Sequence, residues 1–343
     1  MASQYTMEYL KELQGYPLEI KIQLTKQRIR EWVHKYGEDG VYVSFSGGKD
    51  STVLLHLVRE MYGDVIPGVF VDTGFEYPEI REFVRTFDNI VWLRPEMNFR
   101  KVIETYGYPM ISKEVSQQVW EVQKYGKDRA KRTYSKFVHD SEYNRKYGGQ
   151  YSMERYAFLL DEGAPRLSHM CCKVMKKNPS QKYEKQTSRL PITGEMACES
   201  RLRKSQWLKN GCNAFDAKKK VSKPLSFWTE QDVLRYIREY DIEFASVYGD
   251  VVIDDNDQLE GQMDISDYGL SDENLVFKTT GCSRTGCMFC GFGCRHSDWS
   301  IRTIKETHPK IYDYIMRPWE QGGLNYKEVI DWINEHGDLH IRY

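Results

Sequence analysis

Apolar positions along the chain alternate between two periods. Between residues 18 and 36, Leu18, Ile22, Ile29, Trp32 and Val33 recur among charges at roughly helical spacing, which predicts an opening helix. Val41-Tyr42-Val43-Ser44-Phe45 is then a short β-rich run that breaks at Gly47-Gly48 and resumes helically as Thr52-Val53-Leu54-Leu55-His56-Leu57-Val58. Val65–Val71 reads as a second buried strand, and Pro78 suits the first turn of a helix running through Phe83 and Val84. Ile90–Leu93 makes a third strand, Phe99–Tyr106 a further helix, and Leu190–Thr193 a strand that turns at Gly194. Thr229 to Asp232 cap a helix over Val233–Tyr240, Val251-Val252-Ile253 suggests a surface hairpin within residues 250–273, and two helical patterns, Ile301–Tyr314 and Tyr326–Ile333, close the chain. Strands alternating with helices predict βαβ units with right-handed crossovers. The expected fold is α/β: a twisted parallel sheet flanked by helices, followed by a helical, cysteine-rich C-terminal region. The domain boundary is expected between residues 225 and 226, with a basic and aromatic insertion at about 119–150.

Composition narrows the class without choosing a function. With 49 Lys and Arg against 50 Asp and Glu, the net charge of −1 gives no global attraction to nucleic acid or membrane, so any basic surface is local. The opening residues lack a basic segment followed by an apolar one, and no run reaches the length of a membrane span, so a cytosolic protein is expected.

Candidate chemistry starts at Ser46-Gly47-Gly48-Lys49-Asp50-Ser51, between a strand and a helix. Glycines there let the backbone approach a ligand, while the free N–H groups of the helix's first turn attract an anion, phosphate above all. The letters match neither the Walker loop nor the dinucleotide fingerprint. They resemble instead the PP-loop, S-G-G-x-D-S, of the ATP pyrophosphatase and adenine nucleotide α-hydrolase-like superfamily, which implies a nucleotide's phosphates in this turn. Asp72-Thr73-Gly74 ends the next strand, where a carboxylate and a small turn suit a ribose or adenine edge. Past Gly194, Arg201 and Arg203 are placed to clamp phosphate or sulfate bidentately.

Between Lys124 and Lys146, eight basic residues interleave with Tyr125, Tyr134, Phe137, Tyr143 and Tyr147. Cations for phosphates beside rings for base stacking make a candidate nucleic-acid surface; the alternative is a solvated helical insertion.

Six of the eight cysteines fall into two groups, Cys171-Cys172 and Cys282, Cys287, Cys290 and Cys294. Closely spaced thiols across a glycine-rich knuckle build zinc and iron–sulfur sites. Two sets compete: Cys171 and Cys172 with Cys287 and Cys290, or a local site from Cys282, Cys287, Cys290 and Cys294.

The PP-loop, Asp-Thr-Gly, Cys-Cys, Ile-Thr-Gly…Glu-Ser…Arg and Cys-x-x-Cys motifs, in that order from about residue 18 to 310, resemble the phosphoadenosine/adenosine phosphosulfate reductase family. The Cys-Cys and Cys-x-x-Cys arrangement is similar to that of the reductases that carry a [4Fe–4S] cluster, which implies Cys171, Cys172, Cys287 and Cys290 as ligands, with zinc as the alternative metal. The resemblance implies that Ser46, Gly47, Gly48, Lys49, Asp50 and Ser51 hold the phosphates of ATP or an adenosine phosphosulfate, with Mg2+. It further implies that Asp72, Thr73 and Gly74 border the adenosine and that Gly194, Glu199, Ser200 and Arg203 complete the anion pocket. Lys49, Arg201, Arg203 and Lys113 are expected to stabilise charge developing on the phosphates, with Asp50 as a further catalytic candidate.

One departure matters. The reductases carry a C-terminal Glu-Cys-Gly whose thiol attacks the sulfonyl sulfur, whereas this chain has Glu335-His336-Gly337 in a similar place and no cysteine after Cys294. An imidazole cannot form the S-sulfo intermediate. The expectation is therefore an ATP-dependent sulfurtransferase that adenylates a nucleic-acid or nucleotide-like acceptor, supplied by a sulfur donor such as a cysteine desulfurase and forming homo-oligomers. A sulfonucleotide reductase and a non-catalytic nucleotide- or nucleic-acid-binding subunit are the alternatives.

Overall fold

The computed structural model describes residues 5–147, 151–254, 275–295 and 300–343. They form two interleaved compact units. The first comprises Met1–Asp72, Tyr77–Leu93 and Gln181–Thr285; the second comprises Thr73–Glu76, Arg94–Ser180 and Gly286–Tyr343. This division falls elsewhere than the 225/226 boundary expected from the sequence: residues 226–285, with the helix Glu230–Glu239, join the first unit, and residues 94–180 join the second.

The first unit is built on strands β1 (Val41–Ser44), β2 (Gly68–Val71), β3 (Ile90–Leu93) and β4 (Leu190–Thr193), all parallel, in the order β3-β2-β1-β4. Val43 stands opposite both Gly68 and Ile192, so the sheet's centre is apolar on both sides of β1. The second strand starts at Gly68 rather than Val65; Pro67, which has no N–H, gives only its carbonyl to Val43 N. The helix Leu18–Tyr36 buries the five residues its spacing picked out, Leu18, Ile22, Ile29, Trp32 and Val33. Helix Glu230–Glu239 begins at the Thr229 cap, where Thr229 and Asp232 bond each other's backbone N–H. Asp232 also receives the buried Lys21 ammonium at 2.8 Å, pinning this helix to Leu18–Tyr36. Val251–Ile253 pairs antiparallel with Phe277–Thr279; the rest of the expected hairpin, 255–274, lies outside the described residues.

Because the chain leaves β1 toward β2 and β3 and returns on its other side as β4, the strand order reverses at β1. A crevice opens at the carboxyl end of such a strand, and that is where Ser46–Ser51 begins.

The second unit is mainly helical: Phe99–Tyr106, Lys113–Arg129, Ser300–Thr307, Pro309–Met316 and Tyr326–Gly337 are its longer helices. The expected helical stretch 301–314 is two helices, because Pro309 starts the second at a position where its missing N–H costs nothing. A short parallel pair, Met110–Ile111 with Gly291–Phe292, carries the Cys-x-x-Cys knuckle. Phe75, Phe99 and Phe289 pack edge to face or tilted behind it, with ring centroids 4.5 to 5.9 Å apart. Among the described residues no helix is long and apolar enough to cross a membrane.

Candidate functional site

In the first unit, β1 ends at Ser44 and the helix Lys49–Tyr62 starts with Gly48 as its cap. The turn between them is held from within. Ser46 N donates to Ser51 Oγ at 3.1 Å, and Ser51 Oγ donates to Gly48 O at 2.8 Å. Gly47 has φ +70°, and a Cβ there would stand 2.8 Å from methyl groups of Ile80 and Val84, so only glycine closes the turn without strain. Gly194, at the end of β4, leans on the same helix: a Cβ would lie 3.0 Å from Asp50 O.

Lys49 is 3% exposed. Its Nζ donates to Ser283 O at 2.9 Å and pairs with Glu230 at 3.0 Å, with Asp50 Oδ1 3.8 Å away. Asp50 Oδ1 is buried and accepts no hydrogen bond. Burial pushes the Asp50 carboxyl above its ordinary range; Lys49, Arg284 and Arg203 pull it back and Glu230 adds to the rise. A buried carboxylate oxygen with no hydrogen bond, beside a glycine turn at a helix start, is chemically suited to a hard divalent cation such as Mg2+.

The arginine segment also lies in the first unit. Ser200 caps the helix Arg201–Asn210 by accepting from Arg203 N at 3.2 Å, Arg201 is exposed, and the Arg203 guanidinium pairs with Glu199. Glu199 Oε1 accepts from Arg284 at 3.2 Å as well, so one carboxylate sits between two guanidinium groups. Asp72 is tied to Arg81 at 2.9 Å. Thr73, Gly74 and Lys113 belong to the second unit, where Thr73 N and Oγ1 bond the Glu76 carboxylate and Lys113 is exposed. Sequence reasoning missed Glu230, Tyr248, Ser283, Arg284 and Thr285. All five lie more than 170 residues beyond the turn in sequence, and only Glu230, next to a helix cap, carries any local signal.

In the second unit the thiols of Cys171, Cys172, Cys287 and Cys290 lie within electrostatic range of one another. Burial and the neighbouring sulfurs push Cys171 up, and burial with Cys287 and Cys172 raises Cys290 to about 12. Burial would lower the Lys176 ammonium, but Cys287, Glu76 and Cys172 hold it above its ordinary value. Tyr326, fully buried and donating to Phe289 O at 2.6 Å, backs the knuckle. Cys282 belongs to the first unit, beside the Tyr77 hydroxyl, and Cys294 is buried against the Ile111 backbone. Among the described residues no three Cys, His, Asp or Glu side chains are grouped closely enough to hold a metal ion. The donor chemistry still fits a cationic centre: the thiols of Cys171, Cys287 and Cys290 are all pushed up, and they ionise together only if positive charge beyond Lys176 offsets them.

The basic and aromatic stretch lies along Lys113–Arg129 and the short helices Lys131–Tyr134 and Glu142–Tyr147. Its lysines sit over rings: Lys124 over Trp120 at 4.5 Å, Lys127 over Tyr134 at 5.2 Å, Lys136 over Tyr143 at 5.5 Å. Arg129, Lys131 and Arg132 are exposed. His336 stacks on Trp332 with centroids 4.1 Å apart, its Nδ1 2.9 Å from Trp332 O.

Comparison with known proteins adds four findings. The family model of the phosphoadenosine phosphosulfate reductase domain matches residues 40–291. An uncharacterized protein of Methanocaldococcus jannaschii is 42% identical over 74 residues, 20% of this chain and 15% of that one; a probable FAD synthase of Caenorhabditis elegans is 37% identical over 70 residues, 19% and 14%. This chain therefore spans about one seventh of the length of these relatives. Phosphoadenylyl-sulfate reductase from Candida auris, solved as a phosphate complex, is 13% identical with a TM-score of 0.37, covering 72% of this chain and 92% of that one.

Proposed function

Since this chain belongs to the phosphoadenosine phosphosulfate reductase family, whose PP-loop members bind adenine nucleotides, we propose that it is an ATP-dependent sulfurtransferase acting on a nucleic-acid or nucleotide-like acceptor. The nucleotide's phosphates lie in Ser46–Ser51, with Asp50 as carboxylate ligand for Mg2+ and Lys49, Arg203 and Arg201 facing the charge that develops as the α-phosphorus is attacked. An acceptor oxygen forms a bond to that phosphorus and pyrophosphate leaves. Hydrosulfide then attacks the atom bearing the adenylated oxygen, and AMP departs with that oxygen. Adenylation is what makes the oxygen a leaving group.

Cys171, Cys172, Cys287 and Cys290 would hold a [4Fe–4S] cluster, with zinc as the alternative occupant. Bound by only three of the four thiols, such a cluster would supply an open iron able to carry sulfide. Lys176, beside Cys287, offsets part of the thiolates' charge.

The observation that favours sulfur transfer over sulfite release is His336. At the place of the reductases' attacking thiol the chain carries an imidazole, stacked on Trp332 and bound toward its carbonyl. The test is anaerobic turnover with two readouts. We expect acceptor-dependent pyrophosphate release from ATP and no sulfite from adenosine phosphosulfate or its 3′-phosphate. Sulfite release without ATP cleavage would establish the reductase instead.

The stretch around Lys124–Lys146 is the surface we assign to a nucleic-acid acceptor. Replacing Arg129, Lys131 and Arg132 with Glu should weaken oligonucleotide binding by at least tenfold while ATP affinity stays unchanged, measured by fluorescence anisotropy at fixed salt.

A further inference from the structure

The segment Gly281–Thr285, unassigned in the proposed reaction, lies on the phosphate turn within the first unit. Its far side is anchored: Gly281 N donates to Tyr248 O at 2.8 Å, Cys282 N to Val247 O at 3.0 Å, and Thr279 Oγ1 to Cys282 O at 3.0 Å. Its near side occupies the groups that an anion needs. Lys49 N, at the start of the helix, donates to the Tyr248 hydroxyl at 3.2 Å, and that hydroxyl is 2.5 Å from Thr285 Oγ1. Ser283 O takes the Lys49 ammonium at 2.9 Å. Arg284 extends over Glu199, which it shares with Arg203.

The contacts of Lys49 N with the Tyr248 hydroxyl and of Lys49 Nζ with Ser283 O are of a kind that phosphate oxygens make better, and the same ammonium also has the Glu230 carboxylate at 3.0 Å. A helix-start N–H and a buried ammonium prefer an anion to a neutral hydroxyl or carbonyl oxygen. Two guanidinium groups converging on one carboxylate show where negative charge is stable, and a polyphosphate can take that seat with more oxygens.

We infer that Gly281–Thr285 is a phosphate-exchanged latch: a nucleotide's polyphosphate displaces Tyr248 from Lys49 N and Ser283 from Lys49 Nζ, and Arg284 leaves Glu199 to bind it. This rests on the nucleotide reading of the turn and adds residues to it. Tyr248 and Arg284 then have opposite effects. Tyr248 competes with the phosphate, whereas Arg284 is one of its ligands.

The experiment is calorimetric titration of the full-length protein with Mg-ATP and, separately, with adenosine. Tyr248→Phe, which keeps the ring and removes the competing hydroxyl, should bind ATP about three- to tenfold more tightly. Arg284→Gln should bind ATP at least tenfold more weakly with adenosine affinity unchanged, and Arg284→Lys should recover most of the loss. Variants that bind ATP like the wild type, or an Arg284→Gln loss shared equally by adenosine, would overturn the latch while leaving the nucleotide turn standing. A wild-type protein that binds no ATP would overturn both.

Discussion

The glycine turn and the cysteine group differ in what completes them. Ser46–Ser51 closes on itself: Ser46 N, Gly48 N and Ser51 Oγ find partners within six residues, and Lys49 N and Nζ are met by Tyr248, Ser283 and Glu230. The four thiols of the second unit do the reverse. They come from segments more than a hundred residues apart, and the sulfurs around Cys171, Cys287 and Cys290 make their ionisation harder, with Lys176 as counterweight. Backbone geometry can be finished by the chain alone; thiols that oppose one another's ionisation ionise together only when added positive charge offsets them.

If that contrast is right, the largest effect comes from breaking the cysteine group. Cys290→Ser, purified without oxygen, should retain less than about a tenth of the wild-type iron, by metal and sulfide analysis, while its ATP affinity stays within about twofold. Wild-type iron content in this variant would remove Cys290 from the ligand set.

The converse change strikes the turn. Gly47→Ala forces a side chain onto a backbone at φ +70° and against Ile80 and Val84. We expect about 2–4 kcal/mol of destabilisation in urea unfolding, from the left-handed conformation and the overpacking together, with the iron content of the folded protein unchanged.

A smaller effect sharpens the electrostatics of the turn. Asp50 has its carboxyl pushed up by burial, so as pH rises from its ordinary value of 3.8 the unfolded chain ionises first and the folded state loses stability until Asp50 itself is ionised. Asp50→Asn removes that penalty. It should melt above the wild type at pH 7, the difference should close as the pH falls toward 3.8, and the Mg2+ dependence of ATP binding should disappear. A variant that melts lower at pH 7 would contradict the assignment.

The same contrast explains what the sequence made legible. The sheet, the helix Leu18–Tyr36 and the turn were readable because each is written in consecutive residues: an apolar run, a helical spacing, a glycine pair between them. The grouping of the Cys-Cys and Cys-x-x-Cys motifs was raised as one of two alternatives, and spacing alone could not decide between them. What stayed hidden depends on distant partners. The Lys21–Asp232 pair spans 211 residues and the Lys49–Ser283 bond 234, and neither side chain's type distinguishes a buried partner from solvent. Arg203 is a further instance: its sequence suggested a hand for an anion, and the fold already supplies one in Glu199. Thr73, Gly74 and Lys113 were grouped with the turn by motif order, whereas compactness places them in the second unit.

The most direct test of the central claim, that Ser46–Ser51 binds a nucleotide's phosphates, is equilibrium binding of Mg-ATP to wild type and Gly48→Asp. Gly48 has φ −78°, a backbone any residue adopts, and an added Cβ would stand 3.2 to 3.4 Å from the Tyr248 hydroxyl, Ser46 Oγ and Thr285 Oγ1, which must give by a few tenths of an ångström, while the new carboxylate places negative charge in the turn. We predict one ATP bound per wild-type chain and at least a hundredfold weaker binding in a variant of near-native melting temperature. ATP binding to Gly48→Asp with wild-type affinity would contradict it.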